Sequence, residues 1–517
     1  MAPSLSAPDP RSPEAQHRAK LAWRRAHPGG ALPTNADWLR TAPAESAAPF
    51  EGAVRRKPSR TLSGVAVVAV MTSPARCPHG RCTYCPGGVE AGSPQSYTGE
   101  EPSALRGAQF QYDSAAIARH RVATLEAIGH PTSKIEVIVM GGTFPARPRA
   151  YQTATLKGIY DGLNGTPAAD LAEAQRRNET AAHRVVGLTV ETRPDWCDAR
   201  VLPFLLDAGV TRVELGVECL TEPVLARVGR AHAVEDVAVA TRAARDRGLK
   251  VGYHMMLGLP GMDPERDVAD FRRLWSDEGL RPDFLKIYPT LVLPGTPLFD
   301  DWRAGRYAPY DTATAVDVLA RLKAEVPPWV RIHRIQRDIP ARLLAAGVRT
   351  SNLRELALRR LAAEGRACRC LRCREPGRRA RPPAAAFRPT TTEYRAGGGR
   401  EVFFAYEEPE TDTLVGFLRL RFPSATSDGG LDAPIVRELK VLGSEVDVGA
   451  VGRKPTDYQH RGFGRALLAA AEDRVRAEGY ASVYVRSAVG TREYYRARGY
   501  GPAGPHMAKA IFAASNA

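Results

Sequence analysis

The sequence predicts an α/β protein: a parallel, partly closed βα barrel followed by a smaller α/β module. Three observations carry that expectation. Between residues 61 and 346, short apolar runs rich in β-formers alternate with helical stretches, and each run passes straight into a loop of polar, glycine or proline residues. Cys77, Cys82 and Cys85 stand together on the first of those loops. Near the carboxyl terminus a glycine-rich turn, Gln459 to Gly464, feeds a helix with its own apolar stripe. At 517 residues the chain exceeds one typical domain. The expected division is a basic arm over 1–60, the barrel over 61–346, a cysteine- and arginine-rich connector over 347–390 and the α/β module over 391–517.

Composition narrows the function classes. A hydrophobic share of 44% with 25% charged residues is ordinary for a globular protein. The formal net charge of +16 points to a polyanionic partner, nucleic acid ahead of a membrane surface, with a generally arginine-rich proteome as the alternative. Six of the eight cysteines fall in two tight clusters, with Cys197 and Cys219 apart, which reads as metal ligation in a reducing compartment, the cytoplasm. The first residues lack a signal-peptide core, and Val65 to Val70 is too short to span a bilayer. No internal repeat is visible.

The arm is rich in proline, alanine and basic groups, among them Arg55, Arg56 and Lys57, with helix expected around Gln16 to Ala26. It suits a phosphate backbone, and equally a solvated tail. The barrel strands are expected at Val65 to Met71, Ile135 to Met140, Val185 to Val190, Val213 to Gly216, Val251 to Met256 and Phe284 to Tyr288. In βα barrels chemistry sits on the loops at the carboxyl ends of the strands, so all six loops should share one mouth.

The cysteines on the first loop define the chemistry. Three thiolates hold three irons of a four-iron cluster and leave one iron open, whereas an electron carrier takes four cysteines. An open iron points to S-adenosylmethionine and radical generation. Zinc is the alternative and needs a fourth ligand, which His79 inside the loop can supply. Gly141, Gly142 and Thr143 after the second strand offer backbone groups to an amino-acid moiety. Glu191, Arg193, Asp195 and Glu218 on later loops are candidates for cofactor or substrate contacts, with solvated loop positions as the plain alternative.

In the connector, Cys368, Cys370 and Cys373 offer three thiolates to zinc. No fourth ligand is evident; His333 is the nearest upstream imidazole, and packing is its alternative role. In the last module an extended run near Glu438 to Leu442 precedes the glycine turn, whose free N–H groups suit a pyrophosphate. Downstream, Thr491 to Tyr500 carries two adjacent phenols. Tyr494 and Tyr495 cannot share one helix face, so one can pack while the other reaches a thioester; alternatively both pack.

These motifs together resemble the Elongator catalytic-subunit family in its stand-alone prokaryotic form. The resemblance is carried by CPHGRCTYCPGG, QSYTGEEP, IVMGGTF, ETRPDWC, RVELGVE, YPTLVLPGT, QRDIP, QHRGFG and GTREYYRARGY, and runs from about residue 55 to the end. It implies a radical-SAM partial barrel joined to a GNAT acetyltransferase domain. It further implies an enzyme that carboxymethylates carbon 5 of the wobble uridine of tRNA, with acetyl-CoA as carbon donor, S-adenosylmethionine as radical source and an electron donor as partner. An oligomer is compatible with it.

Residue by residue, the resemblance implies that Cys77, Cys82 and Cys85 hold the 4Fe-4S cluster, and that Gly141, Gly142, Thr143, Glu191 and Glu218 serve S-adenosylmethionine. Lys134 would reach acetyl-CoA from the barrel side, Glu438, Leu439, Lys440 and Val441 would pair with the pantetheine arm, and Gln459, Gly462, Phe463, Gly464 and Arg465 would form the pyrophosphate turn. Tyr495 would stand at the acetyl end, with Tyr494 beside it. Glu218, Lys440 and Leu442 depart from the residues common in the family, and Leu163 to Thr180 looks inserted. The cluster mouth and the CoA turn are expected to face a shared cleft, with Arg55, Arg56, Lys57 and an Arg366 to Arg381 belt on the RNA phosphates. The rival functions are a protein lysine acetyltransferase with a structural cluster, which needs an acidic general base, and a non-catalytic tRNA binder that senses acetyl-CoA.

Overall fold

The computed structural model describes residues 25–26, 60–424, 430–449 and 455–511. Arg55, Arg56 and Lys57 therefore lie outside the described residues, as does most of the expected Gln16 to Ala26 helix. Seven parallel strands form the first sheet in sequential order: β1 (Ala66–Met71), β2 (Lys134–Met140), β3 (Arg184–Thr192), β4 (Arg212–Glu218), β5 (Lys250–Leu257), β6 (Phe284–Pro289) and β7 (Arg331–Ile335). Parallel strands need crossovers, and helices such as Ser114–Glu126, Arg149–Asn164 and Val234–Asp246 supply them. Asp113, Asp263 and Asp311 start three of the barrel helices by accepting backbone N–H bonds at the first turn. The apolar residues of the strands and helices meet in one core, in which Val137, Leu156, Val213, Leu215 and Leu285 are wholly buried.

β1 and β7 are edges and do not pair, so this is a half-barrel with a lateral opening between them. β7 was not among the strands the sequence pattern announced. Its sequence, RIHRI, carries only two apolar side chains, and pairing with β6 rather than intrinsic β-character defines it.

The second sheet runs β13-β14-β12-β11-β10-β9-β8. Its strands are β8 (Arg388–Ala396), β9 (Gly399–Glu408), β10 (Thr413–Phe422), β11 (Ile435–Val441), β12 (Ser482–Val485), β13 (Gly501–Ala503) and β14 (His506–Ala510). All neighbours are antiparallel except β11 and β12, which pair in parallel at two positions only, Ile435 with Tyr484 and Val436 with Val485. Beyond Val436 these two strands part and open a gap in the sheet. The helix Phe463–Ala477 covers the sheet with Leu467, Leu468, Ala471 and Val475.

The second sheet docks on the barrel through buried charge. Arg437 on β11 reaches Asp283 at 2.8 Å and Glu401 at 2.7 Å, Arg245 reaches Glu401 at 2.8 Å, and Arg419 reaches Glu438 at 2.9 Å and Asp283 at 3.4 Å. Arg421 closes on Asp246 at 2.7 Å. Four guanidinium groups thus face four carboxylates, all in buried residues. The Leu163 to Thr180 stretch also serves the junction: its helix Leu171–Asn178 is followed by Glu179, whose carboxylate accepts from Arg492 at 2.9 Å and Arg496 at 2.6 Å on the second module. Among the described residues no helix is long and apolar enough to cross a membrane.

Candidate active site

Strand polarity sets where chemistry collects. The loop after β1 brings Cys77, Cys82 and Cys85 to the carboxyl end of the half-barrel, next to the turn after β2. Gly141 and Gly142 there have φ of +123° and +102°. A Cβ on Gly141 would lie 2.3 Å from Thr72 Oγ1, so only glycine fits the close approach beside the thiols. Around the sulfurs, Gln95 Nε2 donates to Cys85 Sγ at 3.0 Å, His79 Nε2 lies 3.2 Å from Cys82 Sγ, and Arg230 Nη1 approaches Cys82 Sγ at 3.9 Å. Burial raises the Cys77 and Cys82 thiols, with Arg230 opposing it, so their thiolates call for a cation. Burial, then Arg193 and Arg230, lower His79 to about 4, which keeps that imidazole neutral. This donor set fits an iron-sulfur cluster.

Glu218 adopts φ of +71° at the end of β4, where the pairing with β5 shifts register, and its carboxylate lies 3.5 Å from Arg230. A non-glycine residue in the left-handed region is held there by its surroundings. Glu191 at the end of β3 accepts from Lys286 Nζ at 3.1 Å. Arg193 and Asp195 pair with each other at 2.9 Å.

The connector cysteines gather tightly. The sulfurs of Cys368, Cys370 and Cys373 lie within 4.8 Å of one another, which suits a single ion with metal–sulfur bonds of about 2.3 Å. The group beside them is Lys323, whose Nζ stands 3.2 Å from Cys368 Sγ and 3.6 Å from Cys373 Sγ. His333 does not join this group; its ring packs edge-on to Phe284 at 4.8 Å. The expected arginine belt is also reduced: Arg374 is fully buried between Glu407 and Asp412, because the connector folds back on the β9–β10 hairpin.

The gap between β11 and β12 opens into a cavity of about 720 Å³. Glu438, Leu439, Lys440 and Val441 form one wall, and Gly462, Phe463, Gly464 and Arg465, at the start of their helix, form another. Gly462 sits at φ of +90° and turns the chain into that helix, whose first N–H groups have no intrahelical acceptor. Gln459 locks the turn to the barrel: its Nε2 donates to Gly64 O at 3.2 Å and Val441 O at 3.1 Å, while its Oε1 accepts from Lys134 Nζ at 2.8 Å. Lys134 lines the same cavity, and burial lowers it to about 8 against the pull of Glu445 and Asp447. Tyr495 is buried in the core of the second sheet against Tyr500, although it borders the cavity. It is Tyr494 whose hydroxyl meets the glycine turn: a Cβ on Gly464 would lie 2.9 Å from it, and the buried oxygen has no hydrogen-bond partner among the described residues.

The two chambers do not face one cleft. The cavity at the β11–β12 gap is lined by Lys134, Arg184, Thr211 and Lys250, at the amino ends of the barrel strands, whereas the cysteine loop lies at their carboxyl ends. Parallel strands put their starts and their exit loops on opposite faces, so the expected shared mouth is corrected to two ends of one barrel. With about 3.3 Å per residue, the seven residues of β2 separate these ends by about 20 Å. A run of charged contacts spans the interior: Lys440 to Glu136 at 3.5 Å, Glu136 to Arg212 at 2.8 Å, Arg212 to Glu214 at 3.4 Å, Glu214 to His254 at 3.0 Å, and Lys286 touching both Glu214 and Glu191. The sequence reading missed Glu136, Glu214, His254 and Lys286; an alternation of charge within otherwise apolar strands was the available signal.

A parallel half-barrel with three cysteines on its first loop, joined to a splayed mixed sheet, defines a radical SAM protein with an acetyltransferase-type appendage. The Radical SAM superfamily matches residues 71–274 and the Radical_SAM C-terminal domain residues 282–363. Among relatives, the tRNA uridine(34) acetyltransferase of Methanocaldococcus jannaschii is 44% identical over 92% of this chain and 90% of its own. That of Dehalococcoides mccartyi is 46% identical over 88% and 99%, and human Elongator complex protein 3 is 43% identical over 89% and 86%. The solved structure of the Methanocaldococcus infernus Elp3, with an N-terminal deletion, superposes with a TM-score of 0.77 at 40% identity, covering 87% of this chain and 100% of that one. The chain belongs to the Elongator complex protein 3 family.

Proposed function

We propose that this protein is a tRNA uridine(34) acetyltransferase that carboxymethylates carbon 5 of the wobble uridine, using acetyl-CoA as carbon donor. The observation that carries the reading is the pairing, across a junction of buried ion pairs, of a cysteine loop at one end of the barrel with a splayed-strand cavity at the other. A four-iron cluster held by Cys77, Cys82 and Cys85, with S-adenosylmethionine on its open iron, would supply a carbon-centred radical. Gly141, Gly142 and Thr143 would receive the amino-acid end of S-adenosylmethionine, and the pair Glu218–Arg230 would fix the loop that carries Cys82. In the other chamber the unpaired edge of β11 from Glu438 to Val441 would bond the pantetheine arm, and the N–H groups of Phe463, Gly464 and Arg465 the pyrophosphate.

Tyr494, rather than Tyr495, would donate its hydroxyl hydrogen bond to the thioester. Carboxymethylation from acetyl-CoA would require a hydrogen to leave the acetyl methyl, that carbon to bond to carbon 5 of the uracil, and water to cleave the thioester, releasing CoA. Lys286, Glu214 and Glu191 stand between the two ends of the barrel. Cys368, Cys370 and Cys373 would bind zinc; three thiolates and one zinc leave one negative charge, which the Lys323 ammonium offsets. The site is expected to work in the cytoplasm, where thiols stay reduced.

The lysine acetyltransferase reading needs a free carboxylate, and among the described residues the three that line the cavity, Glu136, Glu438 and Glu493, are ion-paired, the last with Arg496. Burial raises the Glu136 and Glu438 carboxyls, yet Lys440 and Arg212 hold the first, and Lys250 and Arg419 the second, below the ordinary range. Both are therefore committed to ion pairs. Anaerobic incubation with reductant, S-adenosylmethionine, acetyl-CoA and tRNA, followed by nucleoside mass spectrometry, should yield 5-carboxymethyluridine. The Cys82→Ala variant should give none while still binding tRNA. Acetylated peptides with unmodified tRNA would sink the proposal.

A further inference from the structure

A second cavity, of about 880 Å³, lies at the lateral opening of the half-barrel. Thr61 and Leu62, just before edge strand β1, form one side, and His333, Arg334 and Ile335 of edge strand β7 the other. Seven arginines line it against a single carboxylate, Glu355. Four of them have carboxylate partners: Arg334 with Asp338, Arg366 with Glu364, Arg378 with Glu375 and Arg379 with Asp412. Arg354, Arg372 and Arg381 have none within 4.0 Å among the described residues. Arg354 Nη1 and Arg372 Nε are, moreover, buried without any hydrogen-bond partner there.

Like charges gathered around a cavity repel one another, and buried guanidinium N–H groups left unbonded cost free energy. Cys368 and Cys373 border the cavity, but with the proposed zinc bound the three thiolates would carry one net negative charge, which Lys323 at 3.2 Å from Cys368 Sγ already offsets. A phosphate answers both needs, since guanidinium forks match its oxygens. We infer that this cavity is a phosphate-binding site, and that its ligand is a backbone phosphodiester of the tRNA beside the target nucleotide. The formal net charge of +16 favours a polyanion such as RNA over a free anion. The volume also exceeds what an isolated phosphate needs and is within the range of nucleotide-sized ligands.

The choice of RNA as source rests on the tRNA reading above; the phosphate chemistry does not. Two measurements on the full chain separate them. Calorimetric titration with inorganic pyrophosphate, with the glycine turn first saturated by CoA, should show binding that is lost in Arg354→Gln/Arg372→Gln. Salt titration of tRNA binding should show the slope of log K against log salt reduced by about 0.7–0.9 for each phosphate contact removed. Arg381→Gln, at an exposed position, gives a variant that keeps its fold and should show the same reduction by one contact. Loss of pyrophosphate binding with an unchanged tRNA slope would support the site and assign it to a free phosphate ligand. Wild-type protein that binds no pyrophosphate, with variants that keep the wild-type tRNA slope, would overturn the inference and leave the proposed function standing. Wild-type protein that binds pyrophosphate but no tRNA would support the site and sink that function.

Discussion

The junction between the two sheets and the cavity at the barrel opening are both built from arginine, and they use it in opposite ways. At the junction Arg245, Arg419, Arg421 and Arg437 meet Asp246, Asp283, Glu401 and Glu438, so every buried cation has a fixed anion. At the opening Arg354, Arg372 and Arg381 gather without carboxylates. Balanced charge specifies one docking geometry and leaves nothing for a ligand. Unbalanced charge is tolerable only where a ligand or solvent can complete it.

Breaking the balanced side should have the largest effect. Asp283→Asn removes the carboxylate that Arg245, Arg419 and Arg437 share and leaves the three with Glu401 and Glu438 alone, so it should cost about 3–5 kcal/mol in urea unfolding. Acid should act in the same direction. Burial raises the Asp283 and Glu401 carboxyls, but the surrounding arginines hold both below the ordinary range. Their contribution is therefore present above the ordinary carboxylate pKa and is lost as pH falls toward the depressed folded values. Melting curves from pH 7 down to pH 3 should show that loss in wild type and a shallower one in Asp283→Asn.

On the unbalanced side, with CoA saturating the glycine turn, inorganic pyrophosphate at about a hundred times its Kd should stabilise wild type by about 2.7 kcal/mol and leave Arg354→Gln/Arg372→Gln unmoved, as read by thermal shift. Without the anion, Arg354→Gln should change stability by no more than about 1.5 kcal/mol, because it removes a cation with no carboxylate partner and one hydrogen bond, to Ile332 O at 3.1 Å. A large destabilisation would mean that the opening is structural like the junction. The smallest effect belongs to Lys134, which is lowered to about 8. Its charge is present below that pH, so acetyl-CoA binding should weaken about two- to fivefold as pH rises through 8, the scale of a partly exposed ion pair. Lys134→Met should flatten that step.

How much was legible in the chain follows from separation along it. The thiols at 77, 82 and 85, those at 368, 370 and 373, and the Gln459 to Gly464 turn are each local, so spacing alone displayed them. Lys323 beside Cys368, Glu179 beneath the helix of Tyr494, and Gln459 bonded to Gly64 join residues dozens to hundreds of positions apart, and no local pattern encodes them. The order of two adjacent phenols was also out of reach. Both lie on one five-residue helix, Arg492–Arg496, and only its seating decides which hydroxyl meets Gly464.

By itself the sequence determined the parallel barrel, the appended mixed sheet, the two cysteine groups and the glycine turn, because periodicity and short-range spacing are properties of the chain. Tertiary structure alone decided that the cysteine loop and the β11–β12 cavity occupy opposite ends of the strands, and that one set of arginines is neutralised by carboxylates while Arg354, Arg372 and Arg381 are not. Those outcomes depend on strand polarity and on which side of the barrel the second sheet covers, and both are settled only when distant segments pack.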